Sequence, residues 1–170
     1  MLEMTTVQIN EFLASARIGR LCMATPDGQP YAISMPFCWH QGAVYLRIPF
    51  KGRKGAILAQ NRRVCFEVDW CSDALDDYGS VLVEGQLESV ADLAEKARVK
   101  SANDEKYDRL RRGFRPGHGR QTPLEDLALQ KIVVTRIGGR IRESVPAPIT
   151  HAGRASDGAL ASGEFPCPSH

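Results

Sequence analysis

The sequence predicts a small, mainly β protein: an antiparallel barrel with helices appended. Three observations carry this. About six short apolar or alternating runs follow one another, separated by Gly, Asp and Pro turns. Helical patterns are few and do not alternate with the strands, which argues against a doubly wound nucleotide fold. The 170-residue chain is 43% hydrophobic and 25% charged, sufficient for one buried core in a globular domain.

Thr5 or Thr6 can cap a first helix, with Val7, Ile9, Phe12, Leu13 and Ala16 on one face and Gly19 stopping it. Residues 20–25 then read as a strand, and Pro26-Asp27-Gly28-Gln29 as a turn. Two further strands, 30–39 and 43–48, flank a tight turn at His40-Gln41-Gly42. A helix runs through Ala56, Ile57 and Leu58 to near Asn61. Residues 64–70 alternate with period two, setting Val64, Phe66 and Val68 against Cys65, Glu67 and Asp69.

An acidic loop at 71–79 precedes a long strand at 80–90, where Gly85 marks a bulge or a close backbone approach. Helix formers fill 91–112, with a break expected near Ser101-Ala102-Asn103. A basic, glycine-rich loop follows at 111–120, then a short Pro-started helix at 122–130. The last strand spans 131–137 and extends towards Arg142. From Ser144 the composition turns to Pro, Ala, Gly and Ser, so the expected organisation is a barrel domain at 1–143 and a flexible or partner-packed tail at 144–170.

A net charge of +2 argues against a general nucleic-acid binder. No apolar run approaches the roughly 20 residues of a membrane helix, and the first ten residues lack a signal-peptide core. The five cysteines (Cys22, Cys38, Cys65, Cys71 and Cys167) include no CxxC pair, so buried free thiols in the cytoplasm are expected. Cys38, His40, Cys65 and Cys71 fit no zinc spacing, and no metal is expected. Arg111, Arg112, Arg115, His118 and Arg120 read as a solvated basic loop, and Trp39 and Trp70 as barrel-end packing.

The chemistry concentrates at Phe50-Lys51-Gly52-Arg53-Lys54, where a strand gives way to a helix. Glycine lets a ligand approach the backbone, a helix start offers free N–H groups, and the cations Lys51, Arg53 and Lys54 supply charge. This is an anion trap, and phosphate is its natural guest.

The ordered segments Ala16-Arg17-Ile18-Gly19-Arg20-Leu21, Asp27-Gly28-Gln29-Pro30-Tyr31, Pro36-Phe37, Gly42-Ala43-Val44-Tyr45 and Gly52-Arg53-Lys54 resemble the pyridoxamine 5′-phosphate oxidase-like, FMN-binding split-barrel family. Asn61-Arg62-Arg63-Val64-Cys65-Phe66 and the run from Tyr78 through Gly85 continue the likeness, which covers residues 6–142 and is nearest the 5-nitroimidazole resistance subgroup. The resemblance implies a six-stranded split barrel and a cytoplasmic homodimer with FMN at the subunit interface. It also implies that Arg53 and Lys54 grip the FMN phosphate, with Lys51 and Gly52 beside them. On the same resemblance, Tyr31, Ile33, Ser34 and Met35 would line the flavin ring, and Ser80 would reach it from the partner subunit.

One position departs from the family pattern. Arg47, next to Ile48, stands where relatives often carry a histidine. An arginine can bind an anionic substrate or FMN but cannot shuttle protons near neutral pH. The residues that contact pyridoxal phosphate in the true oxidase are also not recognisable. The expected function is therefore an FMN-dependent oxidoreductase passing electrons from a nicotinamide donor to a small, nitro-aromatic-like acceptor, with Arg47 the one catalytic candidate. Alternatives are a non-catalytic FMN-binding, storage or sensing protein, or a split barrel holding a deazaflavin or haem.

Overall fold

The computed structural model describes residues 1–73, 76–110 and 122–142, without the side chains of residues 109 and 110. The expected basic loop at 111–120, the tail from 144 and Cys167 lie outside the described residues. In chain order the elements are β1 (Leu2–Glu3), α1 (Thr6–Ser15), β2 (Ile18–Ala24), β3 (Pro30–Pro36), β4 (Cys38–His40) and β5 (Ala43–Arg47). They continue with α2 (Gly52–Gln60), β6 (Arg63–Cys71), β7 (Tyr78–Ser89), α3 (Leu93–Leu110) and β8 (Leu129–Ile141).

The strands make one antiparallel sheet in the order β3-β2-β6-β7-β8-β5-β4, with β1 added to β8. Its two edge strands, β3 and β4, are consecutive in the chain and separated by Phe37 alone. A sheet whose edges share so short a link must curl on itself, and this is the split barrel. Eight strands replace the six expected. The extra ones are the two-residue β1, too short for any periodicity to reveal, and β4, cut from the expected 30–39 strand. The cut falls where Pro36 has no N–H to offer a ladder and Phe37 turns into the core, 1% exposed.

Residues from the inner face of the curl fill the core. Leu21, Phe66, Val68, Val81, Val83 and Leu87 are fully buried, and Phe37 meets Phe66 edge-on with ring centroids 5.0 Å apart. The alternation expected in β6 holds: Val64, Phe66 and Val68 face inward, while Cys65, Glu67 and Asp69 face out. At Gly85 both expectations hold. The β7–β8 register shifts between Glu84 and Gly85, and a Cβ at Gly85 would lie 2.2 Å from the Val133 carbonyl oxygen.

In α1, Thr5 and Gln8 form a reciprocal capping box, and Ile9, Phe12 and Leu13 are buried. Val7 was expected on that apolar face but is 64% exposed. Gly19 does not stop the helix, which ends at Ser15. It lies within β2, where a Cβ would sit 2.3 Å from the Phe66 ring.

The break expected in α3 is absent. Lys100 and Asp104 pair across that stretch at 2.7 Å, and Val99 and Ala102 pack on a second core cluster with Cys38, Tyr45 and Leu129. Tertiary burial outweighs the weak local propensity. The helix expected at 122–130 is instead a turn, with Asp126 and Leu127 N–H groups donating to the Pro123 and Leu124 carbonyls. From Leu129 the backbone is taken up by β5 and β7 on either side. Of the cysteines expected to be buried, only Cys38 is so among the described residues. Cys22 and Cys65 are half-buried and Cys71 is exposed. Trp39 and Trp70 pack against the main core.

Candidate functional site

The strand-to-helix turn between β5 and α2 is shaped by two glycines. Gly52 has φ of +65°, a left-handed conformation that favours glycine, and no atom within 4 Å of where its Cβ would be. At Gly55 a Cβ would sit 2.6 Å from the Phe50 carbonyl carbon, so only glycine lets residue 50 fold back over the first helical turn. The Lys51 N–H closes on the Pro49 carbonyl at 2.8 Å. Lys51 itself caps α2 without any side-chain hydrogen bond, so the first N–H groups of the helix have no side-chain cap.

Cations surround this uncapped terminus. Lys51, Arg53 and Lys54 form no ion pair with a carboxylate among the described residues. Two arginines are held instead by aromatic faces: Arg53 lies 4.6 Å over the Tyr31 ring, and Arg62 lies 5.3 Å over Phe50. Stacking orients a guanidinium and leaves its N–H fork free for a bidentate acceptor. The Arg53–Tyr31 contact also docks the α2 start against β3, uniting two sets of residues far apart in sequence. Arg62 was not singled out from the sequence. Its only sign there was its place in the Asn61-Arg62-Arg63 run.

β3 is the terminal strand of the sheet, and β2 is its one strand partner among the described residues. Tyr31, Ile33 and Met35 point inward, partly buried against the core, while Ser34 is exposed. The opposite backbone edge of β3 pairs with no strand of the described chain. Arg47 is exposed at the end of β5, its Nη2 donating to Thr122 Oγ1 at 3.3 Å. Ile48 buries its side chain completely and gives its N–H to the Ala128 carbonyl. Ser80 is separate from this group: it faces outward on β7, opposite Asp69 and Arg140, at the far end of the sheet from Tyr31.

That far end has a different character. A cleft of about 260 Å³ is lined by Phe12, Ser15, Arg17, Arg20, Asp69 and Trp70, among others. Arg20 donates there to Glu67 at 2.7 Å and to Asp69, pairs that hold its guanidinium still more firmly protonated than usual. Nearby, Lys106 of α3 is 7% exposed and donates to the Leu13 and Phe37 carbonyls at 3.4 and 3.3 Å, with the Phe37 ring 4.1 Å away. Burial pushes its ammonium down to about 8. Among the described residues no group of three or more His, Cys, Asp or Glu side chains could hold a metal.

The family model described as pyridoxamine 5′-phosphate oxidase matches residues 6–141. The chain belongs to that family. Its fold is shared by solved structures of low sequence identity. A candidate 5-nitroimidazole antibiotic resistance protein from Bacteroides thetaiotaomicron superposes with a TM-score of 0.64 at 17% identity, over 82% of this chain and 86% of that one. An FAD-binding protein from Mycobacterium smegmatis gives a TM-score of 0.61 at 20% identity, over 83% and 98%. A haem-binding protein from the same organism gives a TM-score of 0.60 at 18% identity, over 84% and 58%. No curated protein matches the chain. In this family member, α2 offers an uncapped helix start and free cations beside an edge strand. Such an arrangement can hold a phosphorylated ligand with a flat ring.

Proposed function

We propose that this protein is an FMN-binding oxidoreductase of the cytoplasm, working as a homodimer with the flavin between subunits. The observation that carries the reading is Arg53 stacked on Tyr31, which puts the free cations of the α2 start against the exposed edge of β3. Arg53, Lys54, Lys51 and the backbone at Gly52 would hold the phosphate. The β3 backbone from Tyr31 to Met35 would meet the polar edge of the ring, with Ser34 nearest and Ser80 contributed by the partner. FMN, when bound, supplies hydride and electron transfer. The protein contributes binding, orientation and a restricted mouth. A nicotinamide donor and a small nitro-aromatic acceptor suit this arrangement.

Arg47 favours a second reading. It is exposed beside the trap and hydrogen-bonded to a hydroxyl, and an arginine offers a fixed cation where a histidine would offer a proton shuttle. With no proton shuttle at that position, the protein could bind FMN as a store or sensor without turnover.

The test is direct. Purified protein should carry a flavin absorbance spectrum, and the Arg53→Ala/Lys54→Ala variant should lose it while staying folded. Retention of flavin by the folded variant refutes the phosphate assignment, and a Soret band or a deazaflavin maximum replaces FMN as the guest. NAD(P)H oxidation by the flavin-loaded protein with a nitro-aromatic acceptor supports the oxidoreductase, and its absence leaves the store or sensor. Flavin affinity should fall when the protein is diluted below its dimer dissociation constant, and undiminished binding by a demonstrated monomer contradicts the shared site.

A further inference from the structure

Cys22 on β2 and Cys65 on β6 stand directly opposite one another in the antiparallel register, both free and both half-buried. Their chain neighbours Leu21, Met23, Val64 and Phe66 turn into the core, so both thiols share the outer face of the sheet. Opposed side chains in such a pair have Cβ atoms about 4.5–5.5 Å apart, close to the separation a disulfide requires. The same cross-strand row continues to Ala32 on one side and Glu84 on the other. Ala32 is small and exposed, so β3 places no bulk over Cys22.

The two thiols differ in their surroundings. Burial and Glu67 push Cys22 up, and Arg20 two residues away opposes this. Cys65 faces burial, Cys22, Glu84 and Glu67 together and is pushed up to about 11. Cys22 is therefore the better attacking thiol and Cys65 the resolving one.

We propose that Cys22 and Cys65 form a reversible cross-strand disulfide site, closed by exchange with a low-molecular-weight disulfide. The Cys22 thiolate attacks one sulfur of that disulfide, giving a mixed disulfide and releasing one small thiolate. Cys65 then gives its proton to solvent, and its sulfur attacks Cys22 Sγ and displaces the second. The two protein thiols lose two electrons, the small disulfide gains them, and the two protons end on the released thiols. The product bond pins β2 to β6, and β2 is the strand that ties edge strand β3 into the sheet. This inference is independent of the flavin reading.

The test uses the full chain carrying Cys71→Ser and Cys167→Ser, which removes competing thiols. The reduced protein is treated with oxidised glutathione at pH 8, quenched with N-ethylmaleimide and mapped by mass spectrometry. The expected result is an intact mass lower by two hydrogens and a Cys22–Cys65 linked peptide, both reversed by dithiothreitol. Its rate of formation should rise roughly tenfold from pH 7 to pH 8, as the attacking thiolate does. Adding Cys22→Ser or Cys65→Ser should abolish the link while leaving the thermal transition in place. Three outcomes overturn the proposal: a glutathione adduct that persists at either cysteine, a bond to Cys38 instead, or both thiols unreacted under glutathione yet labelled in denaturant.

Discussion

The two ends of the barrel use positive charge in opposite ways. At the α2 end, Lys51, Arg53, Lys54 and Arg62 have no carboxylate partner among the described residues, and two of them rest on aromatic rings. At the other end, Arg20 is neutralised by Glu67 and Asp69, and Lys106 is buried among backbone carbonyls. The contrast separates cations available to a ligand from cations committed to the fold. Exposed, oriented and unpaired charge leaves stability nearly indifferent to its removal and makes ligand affinity depend on it. Paired or buried charge does the reverse.

The largest effect should come from the ligand end. On the proposed phosphate site, Arg53→Ala/Lys54→Ala would remove two charge-assisted contacts, each worth about 1.5–3 kcal/mol, so FMN affinity measured by fluorescence titration should fall at least about 100-fold. The flavin-free protein should lose only about 0.5–1 kcal/mol, the worth of the exposed Arg53–Tyr31 stacking. A large loss of stability with affinity retained would invert the comparison.

Next in size is Gly19→Ala at the structural end. The new methyl meets the Phe66 ring, itself fully buried, so chemical denaturation should show a loss of about 2–3 kcal/mol. The α2 turn lies elsewhere, so the folded variant should keep its affinity for FMN.

Lys106 sharpens the contrast through pH. Its ammonium sits near 8 in the fold against an ordinary 10.5, so between those values the unfolded chain binds the proton more tightly. Stability therefore rises with pH across that window, by about 2–3 kcal/mol relative to Lys106→Met, which carries no proton. Both proteins carry Cys38→Ser in this comparison, because Cys38 and Lys106 act on one another's titration. Denaturation curves at pH 7.5 and 10 check this, and parallel curves for the two proteins would refute it. The smallest effect belongs to Arg20→Ala, whose side chain is 47% exposed. It should destabilise by about 1 kcal/mol or less, and less again in high salt.

How far these features could be read from the sequence follows their range. The α2 turn was legible because glycine and cations adjacent in sequence are adjacent in space, and the β6 alternation because period two is local. The stacking of Arg53 on Tyr31 was not, since it depends on where a helix lands on a strand 22 positions earlier (53 − 31). Nothing local in the sequence marks Lys106 within its charged helix, and only the packing of α3 over Phe37 and Leu13 makes it a buried lysine. The unbroken α3 and the turn in place of the 122–130 helix share a cause: burial of Val99, Leu127 and Leu129 in the second core overrode propensity. The Cys22–Cys65 pairing needs the β2–β6 register, which no local pattern fixes.

The order of strands carries a consequence for how the chain reaches this state. β3, β2, β6 and β7 can zip together in turn, but among the described strands β4 and β5 join that sheet through β8 alone, which also collects β1. Residues 2 and 141 must meet for that last pairing, a contact of high sequence separation whose loop-closure entropy delays it. On a ribosome the barrel cannot close until β8 has emerged. Until then β7 presents a long unpaired edge, the state most open to pairing with another chain.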